Sequence, residues 1–199
     1  MRITLGRRLG RTAASAGLRL GSLLGRLLPL RALWSVADAL AALVVLLARR
    51  RGRMADANIA AAFPEMSPME RRGVYVRSVR NAARTLGEML KLPYLRPEDL
   101  RRLVPLPPLN PVREALAAGS GVLMITAHLG QWEWSAIRLA DALGLPMTVV
   151  ARPHKHPGAN QTIRDARLSH GLRVLNRDEP LEMVRVLKSG GLLGILPDQ

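Results

Sequence analysis

His128 and Glu133, five residues apart, are the side chains whose types and spacing best suit proton transfer. An imidazole can take a proton from a hydroxyl near neutral pH, and a carboxylate on its other ring nitrogen fixes the tautomer and stabilises the imidazolium that forms. Between them, Leu129-Gly130-Gln131-Trp132 supplies a glycine for close backbone approach, a polar amide and an indole. A histidine near a glutamate is common by chance, so context decides. The uncharged run Gly121 to Ala127 reads as a short apolar strand that delivers His128 to its carboxyl end, where open α/β sheets place their ligand sites. Zinc motifs usually offer two histidines one helical turn apart, and here only Glu133 is near, so neither a metal nor another cofactor is expected.

The elements that must position this pair alternate from Pro111 onward. The pattern predicts helix Val112–Ala118, strand Val122–Ala127, helix Trp132–Leu143, strand Met147–Val150 and helix Gln161–His170. Strand Leu172–Leu175, helix Pro180–Lys188 and strand Leu192–Leu196 follow. Such alternation means an α/β fold with a mainly parallel sheet flanked by helices. Upstream, residues 54–110 read as a helical cap, with helices over 55–62 and 67–92, the second opened by Ser67-Pro68-Met69-Glu70. The cap closes in the proline-rich connector Val104 to Pro111, which lacks the donors of a central strand. The expected domains are therefore 1–53, 54–110 and 111–199.

The formal net charge is +15, and 27 of the 30 basic residues are arginine. Residues 1–53 carry eleven arginines against the single acid Asp38, so most of the excess lies on an N-terminal arm. Within that arm, leucines and small residues recur at helical spacing over 5–28, and the more apolar stretch Leu33 to Ala48 is flanked by Arg31 and by Arg49-Arg50-Arg51. Stacking aromatics are nearly absent from the arm and leucine is interleaved throughout, which favours an anionic membrane surface over nucleic acid. The apolar stretch is shorter than the about 20 residues of a clean span and holds a carboxylate, so the arm is expected to lie on or partly in the membrane. The absence of cysteine excludes disulfides and thiol chemistry.

The His-Leu-Gly-Gln-Trp-Glu run resembles the His-x-Gly-Asn-Trp-Glu signature of the lysophospholipid acyltransferase superfamily, in its branch of lipid A late (lauroyl/myristoyl) acyltransferases. Asn58, Phe63-Pro64-Glu65, Glu70-Arg71 and Glu88 are similar to the family's upstream blocks. Arg152-Pro153, Arg167, Gly171 and Leu196-Pro197-Asp198-Gln199 are similar to those downstream. Gln131, His156 and Ala151 depart from the usual residues and bear on the choice of donor and acceptor.

The resemblance implies a glycerol-3-phosphate acyltransferase-like domain on the cytoplasmic face of a bacterial inner membrane. It implies transfer of a fatty acyl chain from acyl carrier protein or acyl-CoA to a hydroxyl of a lipid A precursor, with His128 and Glu133 catalytic. Gly130, Gln131, Trp132, Arg152, Arg167 and Asp198 are implied on the substrate side, the two arginines as phosphate grips. Acylation of mannosylated phosphatidylinositol or another glycolipid is the alternative within the class, and a non-catalytic basic peripheral membrane protein the alternative outside it. The basic loop His154-Lys155-His156 is a candidate contact for an acidic carrier. Because Asp198-Gln199 follows the last strand directly, a C-terminally truncated domain is expected, with that strand at an uncovered edge.

Overall fold

The computed structural model describes residues 17, 20–152, 164–165 and 167–198. The expected helix over 5–28 is described from residue 20, and residues 20–27 form α1. Much of the expected helix Gln161–His170, the loop His154-Lys155-His156, Pro153 and Gln199 lie outside the described residues.

Two compact units divide the chain, with a boundary at 91/92. The first, Arg19–Lys91, is helical: after α1 come α2 (Leu30–Leu47), α3 (Arg49–Ala62) and α4 (Pro68–Lys91). Helix α3 begins at Arg49, upstream of the expected start at Ala55. Leu33, Ala37 and Ala41, spaced four apart, form the buried stripe of α2, which packs against α4. Small residues permit the approach: Gly87 of α4 lies against Leu33, and a Cβ on Gly25 of α1 would collide with the Leu90 carbonyl. Ser67 and Glu70 open α4 as a reciprocal cap, Glu70 Oε2 accepting the Ser67 amide at 2.8 Å and Ser67 Oγ accepting the Glu70 amide at 3.3 Å.

The second unit carries the sheet. A 3-10 turn at Leu92–Tyr94, α5 (Pro97–Leu103) and α6 (Asn110–Ala117) lead into β1 (Val122–Ile125), α7 (Trp132–Leu143) and β2 (Met147–Ala151). Helical residues 164–165 and 167–169, here α8, precede β3 (Leu172–Asn176), α9 (Pro180–Lys188) and β4 (Leu192–Ile195). All strand pairs are parallel, in the order β1-β4-β2-β3, so the expected α/β architecture stands. The last strand is not at an edge. Strand β4 inserts between β1 and β2, with Leu192 aligned to both Val122 and Met147, and its Leu192 and Leu193 are 0% and 2% exposed. Consecutive strands are neighbours only about two-thirds of the time, and this return is one of the exceptions. Gly121 lets α9 close onto the β1 end, since a Cβ there would strike the Leu187 backbone.

Candidate active site

The β1–β4 register builds the site. Ile125 pairs with Ile195, an offset of 70 residues, and the ladder continues with the Thr126 amide on the Ile195 carbonyl at 3.1 Å. Three residues past each strand end, the same offset sets His128 against Asp198. The Asp198 carboxylate grips the histidine at two points: Oδ2 accepts the His128 main-chain N–H at 2.9 Å and Oδ1 lies 2.7 Å from ring Nδ1. These bonds, the backbone one first, hold the Asp198 carboxyl below the ordinary carboxylate range. An ionised carboxylate only accepts, so in this pairing Nδ1 is the donor and Nε2 is not engaged by Asp198. Trp132 stands edge-on to the imidazole, with ring centroids 4.9 Å apart and planes at 69°.

The chain between turns on Gly130, whose φ of +58° is a conformation side chains rarely adopt. Gln131 is the N-cap of α7, and its carbonyl receives the Ser135 hydroxyl at 3.2 Å. Trp132 and Glu133 follow as the first two helical residues.

Glu133 points elsewhere than expected. Instead of holding His128 Nδ1, it is buried, 3% exposed, and takes the Arg167 guanidinium in a two-point fork, one arm being Nε to Oε2 at 2.9 Å and the other Nη2 to Oε1. A buried carboxylate needs such a partner, and the positive end of the α7 dipole adds to it. Arg167, implied as a phosphate grip, is engaged here as the counter-ion of Glu133, its side chain 12% exposed. Arg152 is exposed just past β2. Sequence reasoning thus placed Asp198 at the site, on the substrate side, without its contact to His128. The available signal was a carboxylate three residues beyond an apolar strand, as the histidine is beyond another; what was lacking was the knowledge that these two strands pair.

The upstream residues that resemble family blocks brace the helical unit. Arg71 Nε meets Asp56 Oδ1 at 2.8 Å, and Glu88 accepts the Trp34 indole N–H at 2.7 Å. A cavity of about 660 Å³ opens at the opposite, amino end of the sheet, lined by Leu95, Leu100, Ile137, Leu145 and His170, and includes none of the candidate residues. Among the described residues, no group of three or more acidic or histidine side chains gathers that could hold a metal ion.

The family model described as bacterial lipid A biosynthesis acyltransferase matches residues 7–199. The chain belongs to this family. A lipid A biosynthesis lauroyltransferase of Escherichia coli (strain K12) is 24% identical over 171 residues, covering 86% of this chain and 55% of that protein. The chain therefore spans about half the length of the curated relative it matches.

Proposed function

We propose that the protein is a membrane-bound O-acyltransferase that moves a fatty acyl chain from an acyl carrier protein or acyl-CoA thioester to a hydroxyl of a lipid A precursor. The observation that carries this reading is His128 at the carboxyl end of a parallel sheet, with Asp198 on Nδ1 and Nε2 left to act as base. Family membership and the lauroyltransferase relative supply the substrate class.

In the proposed reaction, Nε2 removes the acceptor hydroxyl proton as the oxygen attacks the thioester carbonyl. The tetrahedral oxyanion then collapses, the carbon–sulfur bond breaks, and the imidazolium returns its proton to the departing thiolate. Asp198 keeps the ring in the required tautomer and balances the transient imidazolium. The α7 amino terminus, where Gln131 gives no side-chain cap, offers main-chain N–H groups for the oxyanion. The Glu133–Arg167 fork fixes the helix start that presents Trp132, so both residues position the site. The reading puts the site on the cytoplasmic face of the inner membrane, where either thioester donor would reach it.

The test is mass spectrometry of lipid A from cells with and without the gene, complemented by the native sequence or by His128→Ala. The reading expects loss of one acyl chain in the deletion, restored by the native gene alone. Unchanged lipid A, with a change confined to another glycolipid, would reassign the acceptor.

A further inference from the structure

Helix α2 is long and apolar enough, by length and composition, to cross a membrane. Eighteen residues at ~1.5 Å each give about 27 Å, close to the hydrocarbon thickness. Its surroundings argue against crossing. Helix α4 packs along it in antiparallel register: Lys91 Nζ reaches the Leu28 carbonyl at 2.7 Å, Trp34 bonds Glu88, and Asp38 takes the Arg84 fork with Nε to Oδ1 at 2.7 Å. Arg80 approaches the same carboxylate at 3.8 Å, and the Arg84 guanidinium also lies over the Trp34 ring. The α4 sequence alongside holds Arg72, Arg77, Arg80, Arg84, Glu88 and Lys91. A helix that carried this partner through a bilayer would bury all of those charges in hydrocarbon, where ionised side chains are strongly disfavoured.

The flank of α2 beside that contact has the reverse character. Val36, Leu40, Leu43, Val44 and Leu47 recur at helical spacing and are exposed, and Leu20, Leu23 and Leu27 form a similar exposed stripe on α1. Exposed Arg26, Arg31, Arg49, Arg50, Arg51 and Arg53 flank these stripes. A leucine face bordered by arginines suits one occupant, the headgroup–acyl boundary of an anionic bilayer.

We propose that α2 does not span the membrane but lies in its interface, leucine face toward the acyl chains and α4 face toward the cytoplasm, so that both of its ends remain on one side. This rests on the membrane-bound reading above. The experiment uses the absence of native cysteine: single Arg31→Cys and Arg50→Cys changes mark the two ends of α2 in the protein expressed in bacterial cells. A membrane-impermeant maleimide is applied to intact spheroplasts and to inverted inner-membrane vesicles. Neither position is expected to react in spheroplasts and both in inverted vesicles. Labelling of either position in spheroplasts overturns the interfacial placement while leaving membrane attachment intact. Recovery of the protein in the soluble fraction would instead defeat the attachment itself. A nitroxide at Leu43→Cys provides a second reading: it is expected to collide more with dissolved oxygen than with a water-soluble nickel chelate, and the opposite preference takes the leucine face out of the lipid and overturns the proposal.

Discussion

In the unit from Leu92 onward, the inserted strand β4 is covered on both sides by paired strands and the ion pair Glu133–Arg167 is buried, while in Arg19–Lys91 the most apolar helix leaves Leu40, Leu43, Leu46 and Leu47 exposed and folds its carboxylate onto arginine. The sheet unit builds its own apolar interior and uses it to hold one charged pair in a fixed geometry. The helical unit spends its polar groups on joining helices and keeps leucine outside, an arrangement that suits an apolar phase beyond the protein. In the proposed reading, chemistry and attachment rest on different physics, a buried charged pair in one unit and an exposed leucine face in the other.

The largest expected break concerns the sheet unit alone. His128→Ala is expected to lower acyl transfer by about 10²–10⁴, the usual cost of removing a general base, while flotation with membranes is unchanged. Radiolabelled acyl transfer and vesicle flotation on the same preparation read both. Glu133→Gln tests whether the second carboxylate is structural. Removing one partner of a buried ion pair costs about 3–5 kcal/mol, so thermal unfolding is expected to shift strongly downward, with activity falling alongside.

Asp198→Asn sharpens the contrast between the two carboxylates. The Asp198 and His128 side chains are about one-third exposed, and such pairs contribute about 0–1 kcal/mol. Unfolding is therefore expected to change little while turnover drops, because an amide neither enforces the tautomer nor balances the imidazolium. A stability loss matching that of Glu133→Gln, with normal turnover of the folded fraction, would exchange the two roles. Gly121→Ala is expected to cost about 1–3 kcal/mol by overpacking against the Leu187 backbone, read by denaturant unfolding.

Much of this was legible in the sequence, and the exceptions have physical causes. The strands beginning at Val122, Met147, Leu172 and Leu192 follow from short uncharged runs separated by helix-period segments, and all four start as expected. Strand order was not legible. Apolar runs show that a strand is buried without saying between which neighbours, and a chain-order reading left β4 at the edge and Asp198 on the substrate side, with no link to His128. The same gap explains Glu133: spacing from His128 suggested a hydrogen bond, but as the second residue of α7 its side chain turns into the interior, where Arg167 awaits it. In the helical unit, Asp38 counted against a clean membrane span, and its partner Arg84, 46 residues on, was not legible.

The smallest effect is on pH. The Arg84 bond holds Asp38 below the ordinary carboxylate range, and the His128 bonds do so for Asp198. A folded-state pKa below the unfolded one gives stability that is present above the unfolded value and is lost as pH falls through the folded one. Thermal stability from these groups is expected to stay level from neutral pH down to about 4, the unfolded carboxylate range, and to decline only below it. A decline beginning near pH 6 would place the loss on other groups.

The central claim, that Asp198 presents His128 as a base through Nε2, is tested most directly by long-range ¹H–¹⁵N NMR of the ¹⁵N-histidine-labelled protein in detergent, at a pH where the ring is neutral and with His128→Ala to assign its signal. The account predicts a protonated Nδ1 and an unprotonated Nε2 for His128, a pattern kept in Glu133→Gln and lost in Asp198→Asn. A protonated Nε2 in the native protein, or a pattern that depends on Glu133 and not on Asp198, would contradict it.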